Sequence, residues 1–377
     1  MKRSVVLVSA AGALVAAGLL VWFQVGQERE FRSLVAAGEQ ALDEDQTFAA
    51  IEAFSGALAL KNGSMLAYLK RGDTYRRRGE YAKALRDLRE AAALDPTAPQ
   101  PIELLGDVNG AMGRHERAAD LYEQYLILDD RAAKVLYKLA VARFRSGQSA
   151  KAIDPLRKAV SLEDKFPEAH YLLGMCLRAQ KQETEALSVL TRAVQLNPAF
   201  IAAREELADL HAERGDRREG IEQLEAIAAL EPSRPERLVS VGLTYARMGQ
   251  PDAAILTLGR AAERYPDTPA VYTALGRVWL DTAVAGGDGV AIGKAIEALE
   301  PIASRPDASS ETLALYGRAL LMSGNAAAAE RMLQQAVSRA PVDPLAYRYL
   351  AAAATRLGHG AIADDASARY ALLAGSF

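Results

Sequence analysis

Residues 65–98 read MLAYLKRGDTYRRRGEYAKALRDLREAAALDPTA, and the spacing of their landmarks recurs from Phe31 onward. Small residues hold the eighth and twentieth places (Gly72, Ala84), glycine the fifteenth (Gly79) and proline the thirty-second (Pro96). A fixed period of 34 residues is internal self-similarity, and it decides the architecture before any other signal is weighed.

Working outward from that stretch, the period divides the chain into ten repeats: 31–64, 65–98, 99–132, 133–166, 167–200, 201–234, 235–268, 269–309 with an insertion, 310–343 and 344–377. Place eight is always glycine or alanine, as in Gly106, Ala140 and Gly174; so is place twenty, as in Ala118, Ala152 and Gly220. Only small side chains let two helix backbones approach closely. Place fifteen carries Gly113, Gly147, Gly215, Gly249, Gly324 and Gly358, where a left-handed residue is expected to stop one helix and turn the chain. Proline at place thirty-two (Pro198, Pro232, Pro266, Pro341) ends the second helix, because it has no N–H to donate. Each repeat therefore reads as helix A, a tight turn and helix B. One such pair cannot bury its apolar stripe alone; stacking on a neighbour does so.

This pattern resembles the tetratricopeptide repeat family, with large residues recurring around the small ones: Tyr68, Tyr272 and Tyr347 at place four, Tyr75, Tyr245 and Trp279 at place eleven. The resemblance implies an all-α fold, a right-handed superhelical solenoid of about ten helix-turn-helix units, with a concave groove lined by helix A. Places 2, 5, 6, 9, 12 and 13 share one face of helix A and would line it; places 4, 7, 8 and 11 lie opposite and pack inside.

Three places depart from the period. Pro155 and Pro301 fall inside helix B of the fourth and eighth repeats and are expected to kink them. The eighth repeat also carries seven extra residues around 285–289, read as an enlarged loop between its helices. No strand precedes that glycine-rich insert and no Lys-Ser pair ends it, so it lacks the context of a phosphate loop.

Ahead of the repeats, residues 5–23 (VVLVSAAGALVAAGLLVWF) are apolar, and as a helix they match a bilayer core. A cleaved signal peptide and a retained anchor share this signature, and the length of the run favours the anchor. Lys2 and Arg3 precede it, so the positive-inside rule leaves the N-terminus in the cytoplasm. The expectation is a single-pass inner-membrane protein: residues 1–30 form the stub, span and linker, and 31–377 face the periplasm.

Chemistry is sparse. The net charge of −3 is too near neutral to suggest nucleic acid as a main ligand, and none is expected. The one cysteine, Cys176, builds no intrachain disulfide and no cysteine-based zinc site. The four histidines, His115, His170, His211 and His359, form no metal-binding pair at helical spacing, and there is no HExxH or nucleophile elbow. No enzyme activity, cofactor, metal or small-molecule substrate is expected; the partners are other proteins, held as peptides or helices in the groove.

Along the groove face the residues form a gradient. The early repeats offer acids at place nine (Glu39, Asp73, Asp107); the fourth and fifth offer apolar bulk; later ones offer Arg277 and Arg318. Tyr137, Val141, Phe144, Tyr171, Met175 and Arg178 are the candidate docking residues, since an apolar strip on a face the core does not need suits a peptide. The competing reading packs them against the next repeat. Chaperone-binding relatives grip a carboxylate with lysine and asparagine at places five and nine. Here those pairs read Val35/Glu39, Leu69/Asp73, Glu103/Asp107 and Tyr137/Val141, so that clamp is absent. The functional expectation is a non-enzymatic scaffold that assembles envelope complexes. The alternatives are an accessory subunit of an envelope polysaccharide or secretion machine and a cytosol-facing receptor of the mitochondrial import type.

Overall fold

The computed structural model describes residues 2–286 and 289–374, with side chains described for Leu19 and from Trp22 onward. Among these residues there are twenty helices and no strand. They form two compact bodies, Met1–Asn197 and Pro198–Phe377. The first holds α1 (Lys2–Asp43), α2 (Thr47–Leu60), α3 (Met65–Arg77), α4 (Tyr81–Leu94), α5 (Pro99–Ala111), α6 (His115–Leu128), α7 (Ala133–Arg145), α8 (Ser149–Leu162), α9 (Pro167–Ala179) and α10 (Glu183–Leu196). The second holds α11 (Ile201–Arg214), α12 (Arg217–Leu230), α13 (Pro235–Arg247), α14 (Pro251–Arg264), α15 (Pro269–Gly286), α16 (Gly289–Ala303), α17 (Ser310–Met322), α18 (Ala326–Val337), α19 (Pro344–Leu357) and α20 (Gly360–Ala374). Odd-numbered helices are A, even-numbered ones B. Within each body every helix packs on the next one in the chain.

The turns follow from place fifteen. Gly79, Gly113, Gly147, Gly215, Gly249, Gly324 and Gly358 all have φ between +73° and +90°. Two repeats make the same turn without glycine: Asp45 and Lys181 hold place fifteen at φ 59°. The close approach of A and B follows from place eight. A Cβ built on Gly174 would lie 2.5 Å from Leu190 Cγ, and one on Gly106 2.5 Å from Tyr122 Cε1. The place-twenty alanines Ala84, Ala118, Ala152 and Ala186 are fully buried.

Helix A buries more than the period implies. Places three and ten join the interior, as in Val135 and Ala142, Ala169 and Cys176, Val271 and Val278. The reason is that an interior A helix is covered on two sides, by its own B helix and by the B helix of the repeat before. Burial at place ten pushes the Cys176 thiol up to about 11. At place four, His170 sets its Nε2 3.0 Å from the Asp164 carbonyl oxygen.

α8 runs from Ser149 to Leu162 with Pro155 buried inside it. Proline leaves the carbonyl four residues earlier, on Lys151, without its amide partner. Arg143 supplies the replacement: its Nη1 donates to the Lys151 oxygen at 2.7 Å. α16 likewise runs through Pro301 to Ala303.

Two expectations are corrected. The insertion in the eighth repeat is helix, not loop. α15 has 18 residues where α13 has 13, and α16 has 15 where α14 has 14. Of the insert, Gly287 and Asp288 lie outside the described residues. The second correction concerns the membrane. Among the described residues no helix is long and apolar enough to cross one, which overturns the single-pass inner-membrane placement and the periplasmic array built on it. The apolar run does not stand alone. It continues without a break through Gln27, Glu28, Arg29 and Glu30 into the first A helix, and Arg32 and Glu28 pair across that stretch at 2.9 Å. Most side chains of 5–23 lie outside the described residues.

Candidate protein-binding groove

α7 shows how a groove face arises. Val135, Leu136, Leu139, Ala140 and Ala142 are buried and fix the helix in the stack. Tyr137, Val141 and Phe144, at places five, nine and twelve, are left only half-buried. α9 repeats the division. Pro167 opens it at its first turn, where a missing N–H costs nothing. Ala169, Leu173, Gly174, Cys176 and Leu177 fill the interior, while Tyr171, Met175 and Arg178 stay half-buried. All six candidate residues thus lie on helix A faces of two successive repeats in one body.

Part of that strip is spent on packing. The Tyr137 ring lies 4.8 Å from the Phe166 ring, tilted by 53°. Phe166 is the residue just before α9, so this contact ties one repeat to the next. Burial, and then the charge of Glu168, hold the Tyr137 phenol above the usual tyrosine value, with Arg145 acting in the opposite direction.

The acids of the early repeats are matched internally. Lys138 Nζ lies 2.7 Å from Glu103 Oε1 and 2.8 Å from Asp107, reaching from the fourth repeat to the third. The Tyr122 hydroxyl donates to Asp107 Oδ1 at 2.8 Å. Burial lowers Lys138, and the hydrogen bonds it donates to Asp107 and Glu103 outweigh that, so its pKa ends above the ordinary lysine value. Burial first, and the Asp107 charge second, push Tyr122 strongly up. Lys70 reaches Glu39 of the first repeat at 2.6 Å, and Asp73 is held by Arg76 and Arg77 of its own helix. The acidic end of the gradient is therefore a set of links, several of them between repeats, rather than a free acidic surface.

In the second body two hollows run along α13, a helix the sequence reading passed over. A cavity of about 880 Å³ is lined by Val239, Leu243, Ala246 and Arg247 from α13 and by Val278 and Ala285 from α15. A neighbouring one of about 450 Å³ shares Val239, Leu243 and Arg277 with it. Only Val241 and Gly242 of α13 are buried. The signal was present: places 5, 9 and 12 of the seventh repeat are Val239, Leu243 and Ala246. The extra length of α15 was not legible as a wall, because the insert was read as loop. The arginines of the gradient are also engaged: Arg277 pairs with Glu311, and Arg318 Nη1 lies 3.2 Å from Asp281 Oδ1.

Comparison with known proteins agrees with this architecture. Tetratricopeptide repeat models match residues 72–113, 177–241 and 235–278, and a model described as anaphase-promoting complex, cyclosome, subunit 3 matches 111–193. Among solved structures, the C-terminal part of a repeat protein of this kind from Cytophaga hutchinsonii is 17% identical. It covers 65% of this chain and 99% of its own, with a TM-score of 0.55. One from Parabacteroides merdae is 15% identical over 66% of this chain and 99% of its own, with a TM-score of 0.47. YrrB, described as a TPR protein with an unusual peptide-binding site, is 24% identical over 50% of this chain and 97% of its own, with a TM-score of 0.45. At these identities the likeness concerns the fold alone. No curated protein matches. The chain belongs to the tetratricopeptide repeat family, whose fold serves as a protein-binding scaffold and is typically non-catalytic.

Proposed function

We propose that this protein is a non-enzymatic assembly scaffold, and that the strip formed by Tyr137, Val141, Phe144, Tyr171 and Met175, with Arg178 at its end, docks a segment of a partner protein. One observation carries the reading. α7 already fills its place in the stack with Val135, Leu136, Leu139, Ala140 and Ala142, yet it keeps three more large apolar side chains half-exposed on the opposite face. Large apolar groups that stacking does not consume are the usual anchors of a recognition surface. Tyr137 spends one edge on Phe166 and leaves the rest of its ring to a ligand.

The test is a photo-crosslinking amino acid placed at Val141 in the expressing cell. A discrete adduct is expected, lost when Tyr137→Ala and Tyr171→Ala are combined, with helical content and melting close to wild type. A matching collapse of stability in that double variant would show that the two tyrosines belong to the core, and would remove the strip as a docking site.

A further inference from the structure

From its charge, we infer that the segment docked on this strip is acidic: a peptide that sets apolar anchors against Tyr137, Phe144, Tyr171 and Met175 and carries carboxylates beside them. The inference rests on the docking role proposed above and names the chemistry of its partner. Across α7 and α9 the cations are Lys134, Lys138, Arg143, Arg145 and Arg178, against a single acid, Glu168, in a chain whose net charge is −3. Some of that charge is neutralised within the fold: Lys138 by Glu103 and Asp107, Arg143 by Glu123. Lys134 and Arg145 are different. They hold places two and thirteen of the fourth repeat, at opposite ends of α7, and both are exposed. Among the described residues neither has a carboxylate within ion-pair distance.

The strip is thus flanked at both ends of α7 by solvated cations, with the apolar side chains between them. Such rim charges add little by themselves, but they steer encounter and reject partners of the wrong sign. A basic or neutral segment would gain the apolar contacts alone. An acidic one gains both, and loses the charge component as salt is added.

The experiment is a random-peptide display library panned on the full chain and counter-selected against the Tyr137→Ala, Tyr171→Ala variant. Survivors are expected to combine apolar anchors with an excess of Asp and Glu over the starting library. A labelled survivor should bind the Lys134→Glu, Arg145→Glu variant about tenfold more weakly at low salt, with the gap closing as salt rises. Survivors without acidic enrichment, or ones that bind the charge-reversed variant unchanged, overturn the inference while leaving the docking site standing. Heparin displacing a survivor that the tyrosine variant binds equally well also overturns it, since the site would then be a general anion surface. If no survivor distinguishes the wild type from the tyrosine variant, the docking role itself falls.

Discussion

Arg143 donates from Nη1 to the carbonyl oxygen of Lys151 at 2.7 Å, and Lys151 is the residue whose helical acceptor Pro155 leaves without an amide. A guanidinium from helix A thereby completes the backbone of helix B in the same repeat. This is how α8 carries a buried proline without a break in its helical span. Removing the arginine leaves a carbonyl short of a donor, which costs about 1–3 kcal/mol. Arg143→Ala should therefore destabilise the fourth repeat by that amount in denaturant unfolding. In the Pro155→Ala background the restored amide serves Lys151, and the same substitution should cost clearly less. Equal costs in the two backgrounds would show that the arginine acts only through its ion pair with Glu123.

Lys181 holds place fifteen of the fifth repeat at φ 59°, where seven other repeats use glycine. A residue with a Cβ is strained there by about 1–2 kcal/mol. Lys181→Gly should relieve most of that strain, and hydrogen exchange in α9 and α10 should slow. Lys181→Val, with a branched side chain forced into the same conformation, should accelerate it.

The contact between places eight and twenty-four sets a volume limit. A methyl on Gly174 meets Leu190 Cγ, a branch point rather than the far end of a flexible chain. Gly174→Ala should destabilise by about 1–3 kcal/mol through overpacking. Pairing it with Leu190→Ala should recover part of that loss, a coupling read in a double-mutant cycle. The fourth repeat already uses alanine at this place, as Ala140, so the penalty reflects the local spacing and not the fold as a whole.

The cluster of Lys138, Asp107, Glu103 and Tyr122 predicts a pH dependence. Both Lys138 and Tyr122 have folded pKa values above their ordinary ones, so the folded state holds these protons more tightly than the unfolded chain. Their contribution is fully present below the unfolded values, about 10 for tyrosine and about 10.4 for lysine, and is lost as pH rises beyond them. The first body should lose stability on the alkaline side from about pH 10. Tyr122→Phe combined with Lys138→Met should flatten that limb, as followed by chemical denaturation at stepped pH.

Much of this was legible in the residues. The helix pairs, the glycine turns and the packing at places eight and twenty all follow from one period, because each recurring residue type answers a backbone requirement that any repeat must meet. Polar links between repeats were not legible. That Lys138 would reach back to Glu103 and Asp107 depends on the offset between neighbouring A helices, which no single repeat encodes. Nor was the buried sector of helix A fully readable: places three and ten are covered by the preceding repeat, as Val135 and Cys176 show. The reading also failed at the N-terminal run, where the length and apolarity of residues 5–23 were taken as a membrane span, and at the eighth repeat, where glycines were taken as loop although helix continues to Gly286.

That last feature has a practical consequence. The added residues lengthen α15 and, slightly, α16, while Gly276 still packs on Leu299 as in an ordinary repeat. Packing at the base and length at the rim are therefore separate variables. The exposed end of α15 at Val284 and Ala285 is a permissive address on this protein: an epitope or fluorescent probe inserted after Ala285 should report on the array without disturbing how its layers stack.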